Sequence, residues 1–265
     1  MPKETEGYHT VPFPRLRGLM VDGGRLARRK HTIHGLFEVD VTQAREVIHK
    51  HKEQSGETLS FTAYVIACLG QAIDANKYMH AYRNWRNQLI LFDEVDVNML
   101  FEVEVNGQRL IRPHIIRAVN RKTYREIHQE VRTFQLEHDT SRESSFIRWF
   151  VLLPGFIRRM FLWYLTKKPH LYKEFSGTVL MTGVGMFGTG GGWAIPVPNH
   201  TLQVTLGGIA KKPGAIADRI EVREYLSITI SIDHDIIDGA PATRFVQRLK
   251  ESIESVALLE DAVSQ

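Results

Sequence analysis

The run at residues 231–239 reads Ser-Ile-Asp-His-Asp-Ile-Ile-Asp-Gly and places His234 four residues before Asp238. It follows a predicted apolar strand and precedes a predicted helix, so a rigid scaffold holds the loop. An imidazole can accept a proton from a thiol or a hydroxyl near neutral pH, which makes His234 a candidate general base. The Asp238 carboxylate either faces a substrate or fixes the local backbone. We favour fixation, with the arginines of the N-terminal segment as partners.

The residues before this loop predict several of the elements that support it. Apolar residues alternate at 35–41, recur at helical spacing from Ala44, and fill 60–73 as expected for a buried helix. Residues 89–92 and 95–105 are rich in strand formers, and we expect them to pair as a hairpin. Asn106-Gly107 is typical of a tight turn into a further strand at 110–118.

The second half of the chain predicts the remaining elements. Thr123 and Glu126 form a capping-box pattern for a helix that ends near residue 136. Short strands are predicted at 178–182, 193–197, 202–209 and 225–232, and Pro241 falls in the first turn of a last helix. Strands and helices do not alternate regularly. The expected fold class is therefore an α/β sandwich with a mixed or antiparallel sheet.

The bulk composition argues against several classes of protein. The 265 residues are 43% hydrophobic with a net charge of +4, and the scattered basic residues fit a small anionic substrate as well as nucleic acid; no nucleic-acid partner is predicted. Cys68 is the only cysteine, so no intramolecular disulfide can form. The polar start of the chain does not read as a secretory signal, and we expect a cytoplasmic protein. The histidines show no zinc-ligand spacing, so no metal is predicted.

Two segments stand out from this body. Residues 1–30 hold a cluster of arginines around Gly23-Gly24 and are interpreted as an arm laid over a domain at 31–265. An aromatic and basic insertion near 143–173 contains Pro154 and several arginines, which disfavour a simple transmembrane helix. Three interpretations of the insertion stay open: a helical hairpin packed on the body or a neighbouring subunit, a membrane-surface contact, or the lining of a long-acyl tunnel.

The motif His234-x-x-x-Asp238-Gly239 resembles that of the acyltransferase component of 2-oxo acid dehydrogenase complexes, within the chloramphenicol acetyltransferase-like superfamily. Three further blocks carry the resemblance in the family's order: Leu-Phe-Glu-Val-Asp at 36–40, Leu-Ile-Arg-Pro-His-Ile-Ile-Arg at 110–117, and Gly-Thr-Val-Leu-Met-Thr-Gly-Val-Gly-Met-Phe-Gly at 177–188. The likeness spans about residues 25–259 and is interrupted chiefly by the aromatic insertion.

The resemblance implies a fold and a site. The fold is the chloramphenicol acetyltransferase-like mixed-sheet sandwich, assembled as a homotrimer with each channel between two subunits. His234 of one subunit takes the proton of a thiol, and Thr182 of the next donates a hydrogen bond to the oxyanion where the family commonly has serine. Asp238 completes the catalytic set, and Gly183, Gly185 and Gly239 are assigned to the binding of coenzyme A or acyl-CoA.

Two classes of function remain open at this stage. One is a coenzyme A-dependent acyltransferase that moves an acyl group between a thioester and a thiol, hydroxyl or amine acceptor. The other is a catalytically silent trimer that binds a ligand or scaffolds partners through the same cleft. The sequence shows neither the lipoyl domain nor the partner-binding domain of the complex-forming members. We therefore expect no lipoyl group on this chain and a free-standing enzyme, with an acyl-carrier protein and a membrane surface as further partners.

Overall fold

A computed structural model of the chain describes residues 7–105, 108–136, 149–185 and 190–263. Its helices include α1 (Arg15–Ala27), α2 (Thr42–Ser55), α3 (Phe61–Asp74), α4 (Tyr124–Leu136), α5 (Gly155–Thr166), α6 (Pro169–Ser176), α7 (Gly239–Glu254) and α8 (Ala257–Val263). The strands are β1 (Thr32–Asp40), β2 (Tyr82–Arg83), β3 (Leu89–Ile90), β4 (Val97–Val105), β5 (Gln108–Ile116), β6 (Val179–Gly183), β7 (Leu202–Ile216) and β8 (Arg219–Asp233). The predicted turn at Asn106-Gly107 lies outside the described residues.

A six-stranded mixed sheet organises the molecule, in the order β1-β8-β7-β6-β4-β5. β6 runs parallel to both β4 and β7, and the other neighbours are antiparallel. The expected mixed-sheet α/β architecture is therefore confirmed. The hairpin predicted between 89–92 and 95–105 is wrong, because β3 pairs with β2 instead. The Asn84 side chain closes that turn by accepting from the N–H groups of Arg86 and Gln88, each at 2.9 Å.

One face of the sheet is apolar and carries the core helices. Val204 and Ile230 lie on this face, at the centre of the largest cluster of buried apolar side chains. The predicted buried helix at 60–73 is confirmed as α3, and Ser60 caps it by accepting from the N–H of Ala63 at 3.2 Å. The capping box of α4 is confirmed as well, since the N–H of Thr123 donates to Glu126 at 2.7 Å.

The opposite face of the sheet is polar, and the loop at 190–201 crosses it. Gln203, Thr205 and Thr229 point to this face by strand alternation, yet each is at most 3% exposed. The strand predicted at 193–197 is wrong: in the described loop, Gly192 forms an isolated bridge to Gly208 and no ladder follows. The physical reason is that the prolines at 196 and 198 bring no backbone N–H to a ladder.

β7 and β8 are longer than the sequence predicts. Each has 15 residues, and their outer halves form a hairpin that continues past the body of the sheet. Ile220 and Val222 near its tip are 81% and 71% exposed. The extension therefore presents apolar side chains that the described part of this chain does not cover.

The N-terminal segment and the aromatic insertion contact each other. α1 packs against α5, and the buried carboxylate of Asp22 accepts from Arg158 at 2.9 Å and from Arg159 at 3.3 Å. The outward face of α5 leaves Phe156 and Met160 largely exposed. Within the described ranges, no helix is both long and apolar enough to cross a membrane.

Candidate active site

His234 stands immediately after β8, at the end of the sheet. Its imidazole is exposed in the single chain, whereas its backbone is fixed because its N–H donates to the carbonyl of His31 at 2.8 Å. The N–H groups of Ile236 and Ile237 both donate to the carbonyl of Asp233 at 3.1 Å, which closes a tight turn around the histidine. The sequence prediction of a loop held rigidly at the end of a strand is confirmed.

Two ion pairs that the sequence analysis missed tie this turn to the residues before β1. The Lys30 ammonium lies 3.1 Å from the buried carboxylate of Asp233, and burial lowers the pKa of this lysine although Asp233 opposes the shift. His31 donates to Asp235 at 2.8 Å, and this hydrogen bond raises the pKa of His31 and lowers that of Asp235. Lys30-His31 and Asp233–Asp235 are far apart in sequence, and only their pairing across β1 and β8 would have revealed the contacts.

Asp238 lies at the N-cap position of α7 and is exposed. It forms no ion pair with the described arginines of the chain, so the predicted fixation of the loop by N-terminal arginines is not seen. Lys30 and His31, directly before β1, fix the loop instead, through the aspartates on either side of His234. The role of Asp238 itself stays a prediction.

Thr182 lies near the end of β6, on the polar face of the sheet. Its hydroxyl is half-buried and donates to the Thr205 hydroxyl at 3.3 Å on the neighbouring strand. Thr229 follows in register on β8, so three threonines form a row across three strands. A donor hydroxyl at this position is therefore built into the sheet, and Thr205 can orient it. The alternation of polar and apolar residues along β7 is the signal that could have found Thr205.

His234 and Thr182 are far apart within one chain. The register places Thr182 level with Thr229, and His234 follows Thr229 by five residues along β8. Five residues of strand span about 17 Å, and two strand spacings add about 10 Å sideways, so the two residues lie on the order of 20 Å apart. A base and an oxyanion donor must both reach one carbonyl group. A single chain therefore does not bring the two together.

The three glycines assigned to ligand binding have different surroundings. A Cβ on Gly185 would lie 1.9 Å from the carbonyl oxygen of Gly207, so the absence of a side chain there serves the packing of the loop on a bulge in β7. A Cβ on Gly239 would meet nothing within 4 Å, at the exposed start of α7. Gly183 ends β6 next to Thr182. The assignment of all three to coenzyme A stays a prediction.

In the part of the chain that the structure describes, no three metal-binding side chains cluster.

The sheet and its helices define the chloramphenicol acetyltransferase-like class of fold. The chain is similar to the solved structure of chloramphenicol acetyltransferase, with a TM-score of 0.51 at 13% identity over 92% of this chain and 95% of that one. A probable dihydrolipoamide acetyltransferase from Listeria monocytogenes gives 0.70 at 19% identity, over 95% and 97%. The dihydrolipoamide acetyltransferase of Azotobacter vinelandii gives 0.69 at 15% identity, over 95% and 93%. At these identities the likeness establishes the fold alone.

Sequence comparison finds similarity to one family of acyltransferases. Residues 167–260 match the model of the 2-oxoacid dehydrogenases acyltransferase (catalytic domain). The dihydrolipoyllysine-residue acetyltransferase component of the pyruvate dehydrogenase complex of Rickettsia felis is 24% identical, over 97% of this chain and 56% of the relative. Component 2 of Arabidopsis thaliana is 27% identical, over 94% and 42%. The chain spans about half the length of the curated relatives it matches. The resemblance predicted from the motifs is thereby confirmed.

Proposed function

We propose that this chain catalyses acyl transfer between a coenzyme A thioester and a thiol, hydroxyl or amine acceptor, at a site shared by two subunits of a homotrimer. His234 is the general base in this proposal, and Thr182 of the neighbouring subunit is the oxyanion donor. The fold class, the match over residues 167–260 and the placement of both side chains support it.

The spacing of three residues carries the proposal. The structure of the Azotobacter vinelandii enzyme was used to study the role of three residues in the catalytic mechanism of that protein. They are a serine, a histidine 52 positions later and an asparagine four positions after the histidine. This chain holds Thr182, His234 and Asp238 at the same two spacings. Threonine keeps the hydroxyl of serine, whereas an ionised aspartate accepts hydrogen bonds but cannot donate them as an amide does.

The chemistry follows from these groups. With a thiol acceptor, the His234 imidazole removes the S–H proton, and the thiolate attacks the carbonyl carbon of the thioester. The carbonyl π electrons move onto oxygen, where the Thr182 hydroxyl donates a hydrogen bond to the developing negative charge. Collapse of this intermediate re-forms the carbonyl group and expels the leaving thiolate. The imidazolium then returns its proton to that sulfur, so His234 ends neutral.

The separation of the two groups supports a site shared between subunits. His234 is exposed at one end of the sheet, and Thr182 lies on the order of 20 Å away on the polar face, so each chain offers two half-sites. In a head-to-tail arrangement that closes into a ring, the His234 half-site of each subunit meets the Thr182 half-site of the next, so no half-site is left unpaired. The exposed apolar tip of the β7–β8 hairpin gives such an interface an apolar surface to bury.

The test is His234→Ala, assayed by mass spectrometry of the products formed from a panel of acyl-CoAs with thiol, alcohol and amine acceptors. We expect the rate of transfer to fall by at least about a hundredfold, because general-base catalysis contributes on that scale. His49→Ala, which changes an exposed histidine on α2, is the matched control and should keep the parent rate. Parent-like transfer by the His234→Ala protein would contradict the proposed base. Absence of transfer by the unsubstituted protein with every acyl-CoA would favour the silent ligand-binding trimer.

A further inference from the structure

A cavity of about 810 Å³ lies between the polar face of the sheet and helices α1, α5 and α6. Its volume falls in the range of ligand sites in proteins. Most of its wall is apolar, and its members include Leu26, Phe161, Leu165, Tyr172, Phe175 and Leu180. The inner side of the aromatic insertion thus lines this cavity. An apolar cavity of this size suits a chain-like ligand better than the small acetyl group.

The cavity wall also includes polar and charged side chains, Arg117 and Glu174 among them, and its buried polar members include Asn98 and His200. Asn98 is 8% exposed and donates through its Nδ2 to the carbonyl of Ser176 at 3.1 Å, so its Oδ1 is left as an acceptor. His200 is 3% exposed and donates through Nε2 to the same carbonyl at 2.9 Å. Burial lowers the pKa of His200 to about 4, so its ring is neutral near pH 7 and Nδ1 carries a lone pair.

Neither acceptor has a hydrogen-bond partner among the described residues. Asn98 Oδ1 and His200 Nδ1 are both buried without one, and so is Asn199 Oδ1 on the same wall. Three acceptors with no donor favour a ligand that brings a donor of its own. A hydroxyl group fits this requirement, because it adds no charge to a mostly apolar cavity.

The cavity adjoins the proposed oxyanion donor. Leu180 lines it and lies two residues before Thr182 on the same face of β6, which separates their Cα atoms by about 7 Å. Asn98 is the register partner of Leu180 on β4, so it lies about 8 Å from Thr182. A thioester carbonyl held at Thr182 would therefore direct its acyl chain past Leu180, with Asn98 beside the carbons nearest the carbonyl.

We propose that this cavity binds the acyl chain of the transferred group, and that the preferred chain is of medium length and carries a hydroxyl near its carbonyl end. Asn98 accepts from that hydroxyl through its Oδ1, and Leu180 with the inner residues of α5 encloses the rest of the chain. The inference rests on the proposed function, because it takes the carbonyl position from Thr182.

Direct binding tests the cavity without any turnover. Isothermal titration calorimetry of the full chain would compare acetate, decanoate, 3-hydroxydecanoate and 10-hydroxydecanoate. We expect decanoate to bind at least about a hundredfold more tightly than acetate, because each buried methylene adds favourable transfer free energy. The 3-hydroxyl should add about fivefold, the effect of one net hydrogen bond, and the 10-hydroxyl should add nothing. Decanoate binding no tighter than acetate, or a preference for the 10-hydroxyl, would overturn the inference.

Variants then locate the binding. Leu180→Trp adds bulk to the wall of the cavity and should weaken decanoate binding by at least about tenfold. Leu91→Trp places the same bulk at an exposed site that does not line the cavity, and its decanoate affinity should match the parent. Asn98→Leu should remove the preference for 3-hydroxydecanoate over decanoate. Equal losses in Leu180→Trp and Leu91→Trp would place the ligand elsewhere and overturn the inference.

The assays separate the failure of this inference from that of the proposed function. Acetyl transfer that depends on His234, in a protein that does not bind decanoate, would overturn the acyl-chain cavity and leave the acyltransferase in place. Tight decanoate binding that Leu180→Trp abolishes, in a protein without transferase activity, would support the cavity and contradict the acyltransferase.

Discussion

Thr182→Val tests the oxyanion donor because it removes a hydroxyl and keeps the shape of the side chain. In the structure, this hydroxyl makes one hydrogen bond, to the Thr205 hydroxyl at 3.3 Å. Its loss should lower the free energy of unfolding by about 1 kcal/mol at most, which leaves the fold intact. The same hydroxyl, if it stabilises an oxyanion, contributes about 3 kcal/mol to the transition state, so kcat/KM should fall by roughly 10²- to 10³-fold.

The assay follows acyl-CoA consumption and product formation by mass spectrometry, with urea denaturation run in parallel. Thr182→Ser is the matched variant, because it keeps the hydroxyl and loses only the methyl group. We expect its kcat/KM to stay within about tenfold of the parent, since a retained donor preserves most of the transition-state stabilisation. Thr182→Val activity within about threefold of the parent, at unchanged stability, would refute the reasoning.

Three further predictions concern the stability of the chain and the accessibility of its cysteine. Burial lowers the pKa of His80 to about 4, so below pH 6.5 the unfolded chain takes up a proton at this residue that the folded chain does not. The free energy of unfolding should therefore fall on acidification, by roughly 2 kcal/mol at pH 5. In urea denaturation, the pH dependence of this free energy should be smaller in His80→Gln by the same roughly 2 kcal/mol. Gly185→Ala, which meets the Gly207 carbonyl, should lower stability by more than about 3 kcal/mol, whereas Gly192→Ala, with nothing within 4 Å, should melt close to the parent. Burial raises the pKa of the Cys68 thiol to about 11. Iodoacetamide at pH 8 should therefore label Cys68 in the urea-unfolded chain and leave it unlabelled in the native chain. Labelling of the native chain at the rate of the unfolded chain would contradict the buried position of Cys68.

The elements and residues that the sequence predicted are those whose signals are local. α3 follows from an unbroken apolar run, the start of α4 from Thr123 and Glu126, and His234 from a motif that fits between a strand and a helix. Each of these patterns is complete within a few neighbouring residues. The wrong hairpin at 89–105 shows what local signals cannot predict. The composition of a strand indicates that it is a strand, but it does not indicate whether it pairs with the strand before it or the strand after it in the chain.

The contacts around the candidate site could not be predicted because they depend on register across the sheet. Lys30 meets Asp233 only because β1 pairs with β8, and Thr182 meets Thr205 only because β6 lies beside β7. Likewise, nothing local marks Asn98 as a cavity residue. The distance from Thr182 to the His234 end of the sheet is also a property of the register, and the proposal of a site shared by two subunits rests on this distance.

Mixing two inactive variants tests the shared site most directly. His234→Ala and Thr182→Val subunits would be unfolded together at equal amounts, refolded and assayed against each variant refolded alone. In a cyclic trimer with each site built from His234 of one subunit and Thr182 of the next, every mixed ring holds one intact site, and random assembly restores about one quarter of the parent activity. Recovery near that fraction is the result we predict. Activity no higher than the average of the two variants refolded alone would contradict a site formed between subunits.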